Sequence, residues 1–363
     1  MESFKVHEIF SLEDFKESIP FTAIGARTCY SSGDLNYLLN DPRVVSKEER
    51  AKFLSKLGNY KHFSVFAHSF AYKDLNTLEE EKLNKIVGKE LQDLPKDKKA
   101  EIAAIKIAAT RFKSYYNPKY KTVIGISLRH YLEELLETDE KRYFETFNKM
   151  AEYDIPIEPL GYKDDIWLIG LLKEYDGYAV FYIDNVSRIM THQLVRHTAL
   201  NYSQRSQRYV KEDENLLIIP PSIKESNCQI ENDKILKIIK DIVKEISEYI
   251  KNTDTKDSLK EKIAKRVEKF LSSEENRSIK NLFRYIDQLT EIIYDYTVYS
   301  CKIKREDARF ILPHGRKTTI VVSGTLSWIK DFITKRTDPH AQWEIQKVAN
   351  AMKYLLEKQN IEV

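Results

Sequence analysis

The stretch HQLVRHTALNYSQRSQRY, His192 to Tyr209, concentrates side chains able to do chemistry. Arg196, Arg205 and Arg208 carry guanidiniums, which fork onto phosphate or carboxylate oxygens in bidentate geometry. Ser203 and Ser206 add short hydroxyl donors. Gln193, Gln204 and Gln207 donate and accept together, as recognition of a pyrimidine edge requires. The composition fits a site for a nucleoside monophosphate. It also fits a solvated loop whose arginines pair with acids elsewhere.

Such a loop needs rigid elements around it. GYAVFYID, Gly177 to Asp184, reads as a strand, and Asn185 is placed to cap a following helix. On that helix Val186, Met190 and Leu194 form an apolar stripe, while Arg188, His192 and Arg196 lie on the nearly opposite face. The helix should fail soon after His197, leaving a structured polar loop to Tyr209. HFSVFAHSFAY, His62 to Tyr72, alternates enough to suggest a strand. Short extended pieces are expected near 216–220 and 318–323.

Three amphipathic helices should follow the loop. They are marked by Ile235, Ile239, Ile242 and Ile246; by Leu259, Ile263, Val267 and Phe270; and by Leu282, Ile286, Leu289 and Ile293. A helix is expected over Leu326 to Lys335. A last one has Asp338 as its cap and Pro339 at its first position, with Ala341, Ile345, Val348, Met352 and Leu355 facing the core. Residues 74–176 are Lys/Glu-rich and helical in pattern, and read as a helical insertion.

The 363 residues suffice for one large domain or two ordinary ones. Hydrophobic residues make up 42%, enough for a packed core. Lys and Arg number 59 against 56 Asp and Glu, so no general field exists for DNA or anionic lipid. Cys29, Cys228 and Cys301 are widely spaced and odd in number, which suits a reducing cytosol better than a disulfide framework. MESFKVHEIF lacks the basic and apolar regions of a secretory leader, and no apolar run approaches the roughly 20 residues of a spanning helix. A soluble cytoplasmic protein is expected.

The histidines raise the question of metal. His62 and His68 would share a strand face, and His192 and His197 are five apart on a helix; neither is a ligand spacing, and no metal is expected. Cys29 near Arg27 has the makings of a reactive thiol. Tyr202 and Tyr209 among arginines would suit stacking with single-stranded RNA, but the near-neutral chain argues against nucleic acid.

The order of residues narrows the choice. RHTALNYSQRS resembles the RHR-x7-S motif of the flavin-dependent thymidylate synthases, the ThyX family, with Arg196, His197 and Ser206 in register and Thr198 in place of the second arginine. ARTCYSS (Ala26 to Ser32) is similar to the family's N-terminal segment. HFSVFAHSFAY resembles its H-x-S-x-x-E-H strand. EDARFILP and KRTDPHAQWEI (Lys335 to Ile345) resemble its C-terminal blocks.

The resemblance implies a flavin-dependent methyltransferase that makes dTMP from dUMP, with methylenetetrahydrofolate as carbon donor, FAD as cofactor and NADPH as reductant. It implies that Gln193, Arg196, Gln204, Ser206, Gln207, Arg208, Arg309 and Arg336 hold dUMP. It places Cys29, His62, Ser64, Arg196, His197, Thr198, Gln204, Thr325, Asp331 and His340 along FAD. It also implies a homotetramer with shared active sites, and Arg336 as the catalytic cation beside the uracil ring. A permanent guanidinium there would stabilise enolate-like charge, as oxyanion donors do. No enzyme nucleophile is needed, and Ser206 without an evident base would be a poor one.

Three departures fall on the flavin side. Thr198 stands for an arginine, Ala67 for a glutamate and Thr325 for an asparagine; Gln204 replaces a frequent glutamate. The alternative implied is a ThyX-like nucleotide-binding protein that is non-catalytic or acts on another pyrimidine nucleotide. The expected fold is α+β: a small, mostly antiparallel sheet flanked by helices, formed by residues 1–73 and 177–363, with residues 74–176 inserted.

Overall fold

The computed structural model describes residues 4–110, 114–153, 155–210, 217–229, 233–252, 257–272 and 278–363. The chain is α+β, as expected. It forms two compact units. One comprises Met1–Asp184, Gln193–Arg205 and Thr319–Val363; the other comprises Asn185–His192 and Ser206–Thr318.

The first unit holds two sheets. Strands β1 (Phe70–Asp74), β2 (Ser114–Tyr116) and β3 (Val123–Ser127) pair antiparallel in the order β1-β3-β2. Strands β4 (Gly161–Lys163), β5 (Ile166–Leu172), β6 (Tyr178–Ser187), β7 (Asn201–Gln204) and β8 (Lys317–Thr325) follow the order β4-β5-β6-β8-β7. The pairs β4–β5, β5–β6 and β7–β8 are antiparallel. One continuous core joins the helix Ile19–Tyr30 to β1, β3 and the helix Leu128–Thr138 through Phe15, Ile24, Phe70, Ile126 and Tyr131.

Residues 74–176 do not form a purely helical piece. They carry β2 to β5 between their helices, and β3 is the middle strand of its sheet. Ile124, Leu132 and Phe147 are built into the same core as Ile19 and Leu54.

Several boundaries differ from the sequence reading. Phe63–His68 is a 3₁₀ turn, and the strand starts only at Phe70. Here His62 lies outside the turn and is exposed, whereas His68 is fully buried, so the two do not share a face. β6 runs on to Ser187, and Asn185 adopts φ 53° within it. The helix therefore starts late, at Arg188–Leu194, with the Ser187 hydroxyl accepting from the Met190 amide at 3.0 Å. Asp338 caps no helix. Its carboxylate accepts from the His340 amide in a turn, and the last helix, Trp343–Glu357, is capped by Gln342.

The second unit is built on three helices, Asp233–Lys251, Asp257–Leu271 and Ile279–Tyr299. Their shared core is Leu236, Ile239, Val243, Ile250, Ile263, Val267, Phe270, Tyr285 and Ile292. Ile235, Ile242 and Ile286 were expected inside and are exposed instead. The first and third helices have apolar residues flanking the expected stripe, and the packed stripe is turned by one position; on the second, Ile263, Val267 and Phe270 pack as expected. Leu216 and the side chain of Leu259 lie outside the described residues; Leu217 makes a single bridge to Arg316.

A polar seam also joins this unit. Arg316, 2% exposed, donates to Asp287 at 2.6 Å and reaches Glu291 at 3.5 Å. Arg266 pairs with Glu291 and Asp295, each at 2.6 Å. Two guanidiniums thus serve three buried carboxylates. Burial pushes the Glu291 carboxyl above its ordinary value, against the pull of Arg266 and Arg316.

Candidate functional site

In the first unit the helix Leu326–Arg336 brings Arg336 to His197, just after the helix Arg188–Leu194. Arg336 Nε donates to His197 Nε2 at 3.0 Å. That bond sets the imidazole. Nε2 must offer its lone pair, so the ring is neutral and its proton sits on Nδ1. Burial, then the charges of Arg336 and Lys335, hold the His197 pKa below its usual value, while Asp331 opposes them. The ring also packs edge-on against Phe332 at 4.9 Å between centroids. Nε of Arg336 is spent on positioning, which leaves the terminal nitrogens to act on a ligand.

The loop after His197 is pinned from below. Tyr202 donates to the carbonyls of Leu194 and His197, each at 2.8 Å. Its hydroxyl is thereby committed to the loop backbone. β7 then carries Ser203 and Gln204 beside β8, with Ser203 opposite Val321. Cys29, on the helix Ile19–Tyr30, contacts the Ser203 hydroxyl; burial pushes its thiol up to about 11. The neighbouring Arg27 is engaged by Asp41 at 2.7 Å, so it does not activate the thiol.

The remaining flavin-side residues of this unit differ in exposure. Arg196, Thr198, Ser64 and His62 are exposed, and His62 Nδ1 lies 3.2 Å from the Tyr30 hydroxyl. Gln193 and Gln204 are half-buried. Thr325 is fully buried and its hydroxyl meets Ser327 at 3.1 Å. Asp331 is held by Lys335 at 2.8 Å. His340 points into solvent, with its side chain 97% exposed and 2.9 Å from Asp338.

The second unit gathers the other expected ligands. Arg208 contacts the Glu306 carboxylate from Nε at 2.8 Å and from a terminal nitrogen at 2.7 Å. Arg309 Nε donates to the Glu306 carbonyl at 3.1 Å. The Ser206 hydroxyl accepts from the Arg208 amide at 3.2 Å, and Gln207 is buried beside it in sequence. Arg208 also lies over the Tyr209 ring at 5.4 Å. So the two units divide the expected nucleotide residues: Gln193, Arg196, Gln204 and Arg336 in the first, Ser206, Gln207, Arg208 and Arg309 in the second.

Sequence reasoning named Ser203 but missed the group it forms around His68 with Ser323, Tyr178 and Asn201. The only signal was His68 itself, quoted as part of a motif and then considered for metal. Among the described residues no three His, Cys, Asp or Glu side chains gather to hold a metal ion. No helix among them is long and apolar enough to cross a membrane.

Residues 177–360, half of the chain, match the family model described as thymidylate synthase complementing protein. The chain belongs to this family. It is similar to the flavin-dependent thymidylate synthase of Clostridium tetani, 32% identical over 172 residues, which cover 47% of this chain and 55% of that protein. The enzyme of the same name from Mycobacteroides abscessus is 28% identical over 48% of this chain and 55% of its own length. That from Thermococcus onnurineus is 28% identical over 66% of this chain and 74% of its own. The chain thus spans little more than half the length of the first two of these thymidylate synthase relatives. Among solved structures, Helicobacter pylori thymidylate synthase X with FAD and dUMP is 20% identical over 50% of this chain and 67% of that one, with a TM-score of 0.29.

The first unit's donor set fits a flavin. Neutral His197 with a proton on Nδ1, the Cys29 thiol and the Ser64 hydroxyl suit the uncharged carbonyl and N–H edge of a fused ring.

Proposed function

We propose that the chain is a flavin-dependent thymidylate synthase that methylates dUMP to dTMP. Methylenetetrahydrofolate gives the carbon, NADPH the electrons, and bound FAD, once reduced, supplies hydride. The observation that carries this reading is the Arg336–His197 pair, with its neutral imidazole and its guanidinium held by one nitrogen. Methylation at the uracil C5 requires electron density on that carbon. A guanidinium beside O2 and N3 stabilises the enolate-like charge that makes C5 nucleophilic. Arg336 is suited to this because it cannot lose its charge on burial, and because His197 aims it.

Arg208, Ser206 and Arg309 form the phosphate arm in this proposal. Arg208 and Arg309 bring two positive charges against one from Glu306. That leaves one net positive charge to draw in a phosphate, which takes over the Arg208 fork. Gln193, Gln204, Gln207 and Arg196 recognise the remaining uracil and sugar atoms. His62, Ser64, Cys29, His197, Thr198, Thr325, Asp331 and His340 line the flavin. The chain acts as a homotetramer with shared sites. The stripe Ile235, Ile238 and Ile242 and the 86% exposed Phe310 support this, since such apolar surface favours being covered.

A second reading rests on a specific observation. Thr198 is exposed and uncharged where the family motif has arginine, and Ala67 and Thr325 are buried. A chain with these features would bind a pyrimidine nucleotide without turning it over. Incubation with dUMP, methylenetetrahydrofolate, NADPH and FAD, followed by mass spectrometry of the nucleotide, separates the two. A gain of one methyl group is expected. Unchanged dUMP, together with saturable dUMP binding, would favour the second reading.

A further inference from the structure

His68 is fully buried in the first unit. Its Nδ1 lies 2.8 Å from the Ser323 hydroxyl on β8, and its Nε2 lies 2.9 Å from the Ser203 hydroxyl on β7. Ser323 in turn meets the Tyr178 hydroxyl at 2.8 Å. Tyr178 lies 2.7 Å from the Ala67 carbonyl, and Asn201 Nδ2 donates to the same phenol at 2.9 Å. At the other end, Ser203 contacts Cys29.

One atom gives this chain a direction. The Ala67 carbonyl only accepts, so the single phenolic proton of Tyr178 goes to it. The Tyr178 oxygen must then accept from Ser323. Ser323, its proton spent, must accept from His68 Nδ1–H. His68 Nε2 is left with a lone pair and accepts from Ser203. The Ser203 oxygen also meets Cys29. Every hydroxyl along the path donates once, and the imidazole is neutral throughout.

The path touches the segments of this unit that carry four of the proposed flavin-side residues. Ser64 lies four residues before His68 on the same turn, Gln204 follows Ser203, Thr325 is two past Ser323, and Cys29 is the terminus. The packing leaves no slack. A Cβ on Gly25 would stand 2.4 Å from the His68 ring, and Gly25 is one helical turn before Cys29 on the same face.

We propose that His68 is a positioning residue: a neutral imidazole locked as the Nδ1–H tautomer, which registers Cys29 and the 63–68, 201–204 and 323–325 segments through one directed chain of hydrogen bonds. That these segments face a flavin rests on the function proposed above; the tautomer does not. Nitrogen-15 NMR of the whole histidine-labelled protein tests it, with His68 assigned by its loss in His68→Gln. The expected spectrum has Nδ1 protonated, Nε2 bare and no titration between about pH 5 and 8. An Nε2–H signal or a titrating ring would overturn the proposal.

Flavin titration by fluorescence quenching gives the second readout. The Gln amide oxygen can still accept from Ser203, so His68→Gln should bind FAD within about threefold of the parent, while His68→Leu should bind about tenfold or more weakly with unchanged circular dichroism. Equal affinity in the parent and His68→Leu would overturn the positioning role. A parent chain that binds no flavin would sink the proposed function, and the tautomer would still decide the state of His68.

Discussion

Two buried clusters, one in each unit, handle polar groups in opposite ways. Around His68 the first unit gathers neutral groups: two serines, a tyrosine, an asparagine, a thiol and a carbonyl. The second unit buries charge, with Arg266 and Arg316 shared among Asp287, Glu291 and Asp295. A neutral network can be directional without burying charge, which suits a region that must hold ligands in register. An ion cluster ties helices together strongly, but loses much when one member is removed.

That contrast is broken most sharply by Arg316→Ala. It leaves Asp287 without its guanidinium partner and should cost about 3–5 kcal/mol in the second unit. Denaturant unfolding measures the cost, and the first unit's His197 and His68 signals should persist. A loss under about 1 kcal/mol, the scale of an exposed pair, would mean the cluster is solvated. Tyr178→Phe is the matching change in the first unit. It removes one neutral hydroxyl and strands the Ser323 proton, so about 1–3 kcal/mol is expected from the same experiment.

The pH responses should also differ in sign. The His197 pKa is lowered by folding, so its contribution is present above the ordinary 6.5 and is lost as pH falls towards the folded value. The Glu291 pKa is raised, so its contribution is full below the ordinary 4.5 and is lost as pH rises through the folded value. Lowering pH from about 7 to about 5 should therefore weaken protection of the first unit's amides near His197 and strengthen those of the helix Ile279–Tyr299. Hydrogen exchange followed by mass spectrometry reads both at once; parallel shifts would contradict the assignment.

The smallest effect concerns the arginine pair on Glu306. The Arg208–Glu306 pair is about half exposed and worth only about 0.2–1 kcal/mol. Glu306→Gln should release the Arg208 fork and tighten dUMP up to about fivefold in calorimetric titration at low salt. Weaker binding would place Glu306 itself on the nucleotide.

Much of this was legible in the sequence, and the parts that were not share a cause. Local pattern gave the strand at Gly177 to Asp184, the helix after Thr325 and the three helices of the second unit. It failed where two local signals competed. Asn185 is a good cap, but strand pairing carries β6 past it to Ser187. Asp338-Pro339 is a strong helix start, yet the chain makes a turn there and Gln342 does the capping. On the helix Asp233–Lys251, isoleucines on both flanks allow two stripes, and only packing chooses Leu236 and Val243 over Ile235 and Ile242.

Candidate site residues were named by likeness to a motif, but their couplings were not. Arg336 meets His197 across 139 positions, and His68 meets Ser203 across 135. No periodicity reports such contacts. Ala67 is instructive: its substitution for glutamate drew attention to a missing carboxylate, whereas its carbonyl turns out to orient the buried network.

The most direct test of the account follows the hydrogen on C5 of the uracil ring, which must leave if a methyl group takes its place. With dUMP tritiated at C5, the parent chain should release tritium to water only when FAD, NADPH and methylenetetrahydrofolate are all present, in step with dTMP. Arg336→Ala, folded by circular dichroism and still binding dUMP, should release at least about a hundredfold less, the scale of losing one charge-stabilising donor. Undiminished release by Arg336→Ala, or none by the parent, would contradict the account.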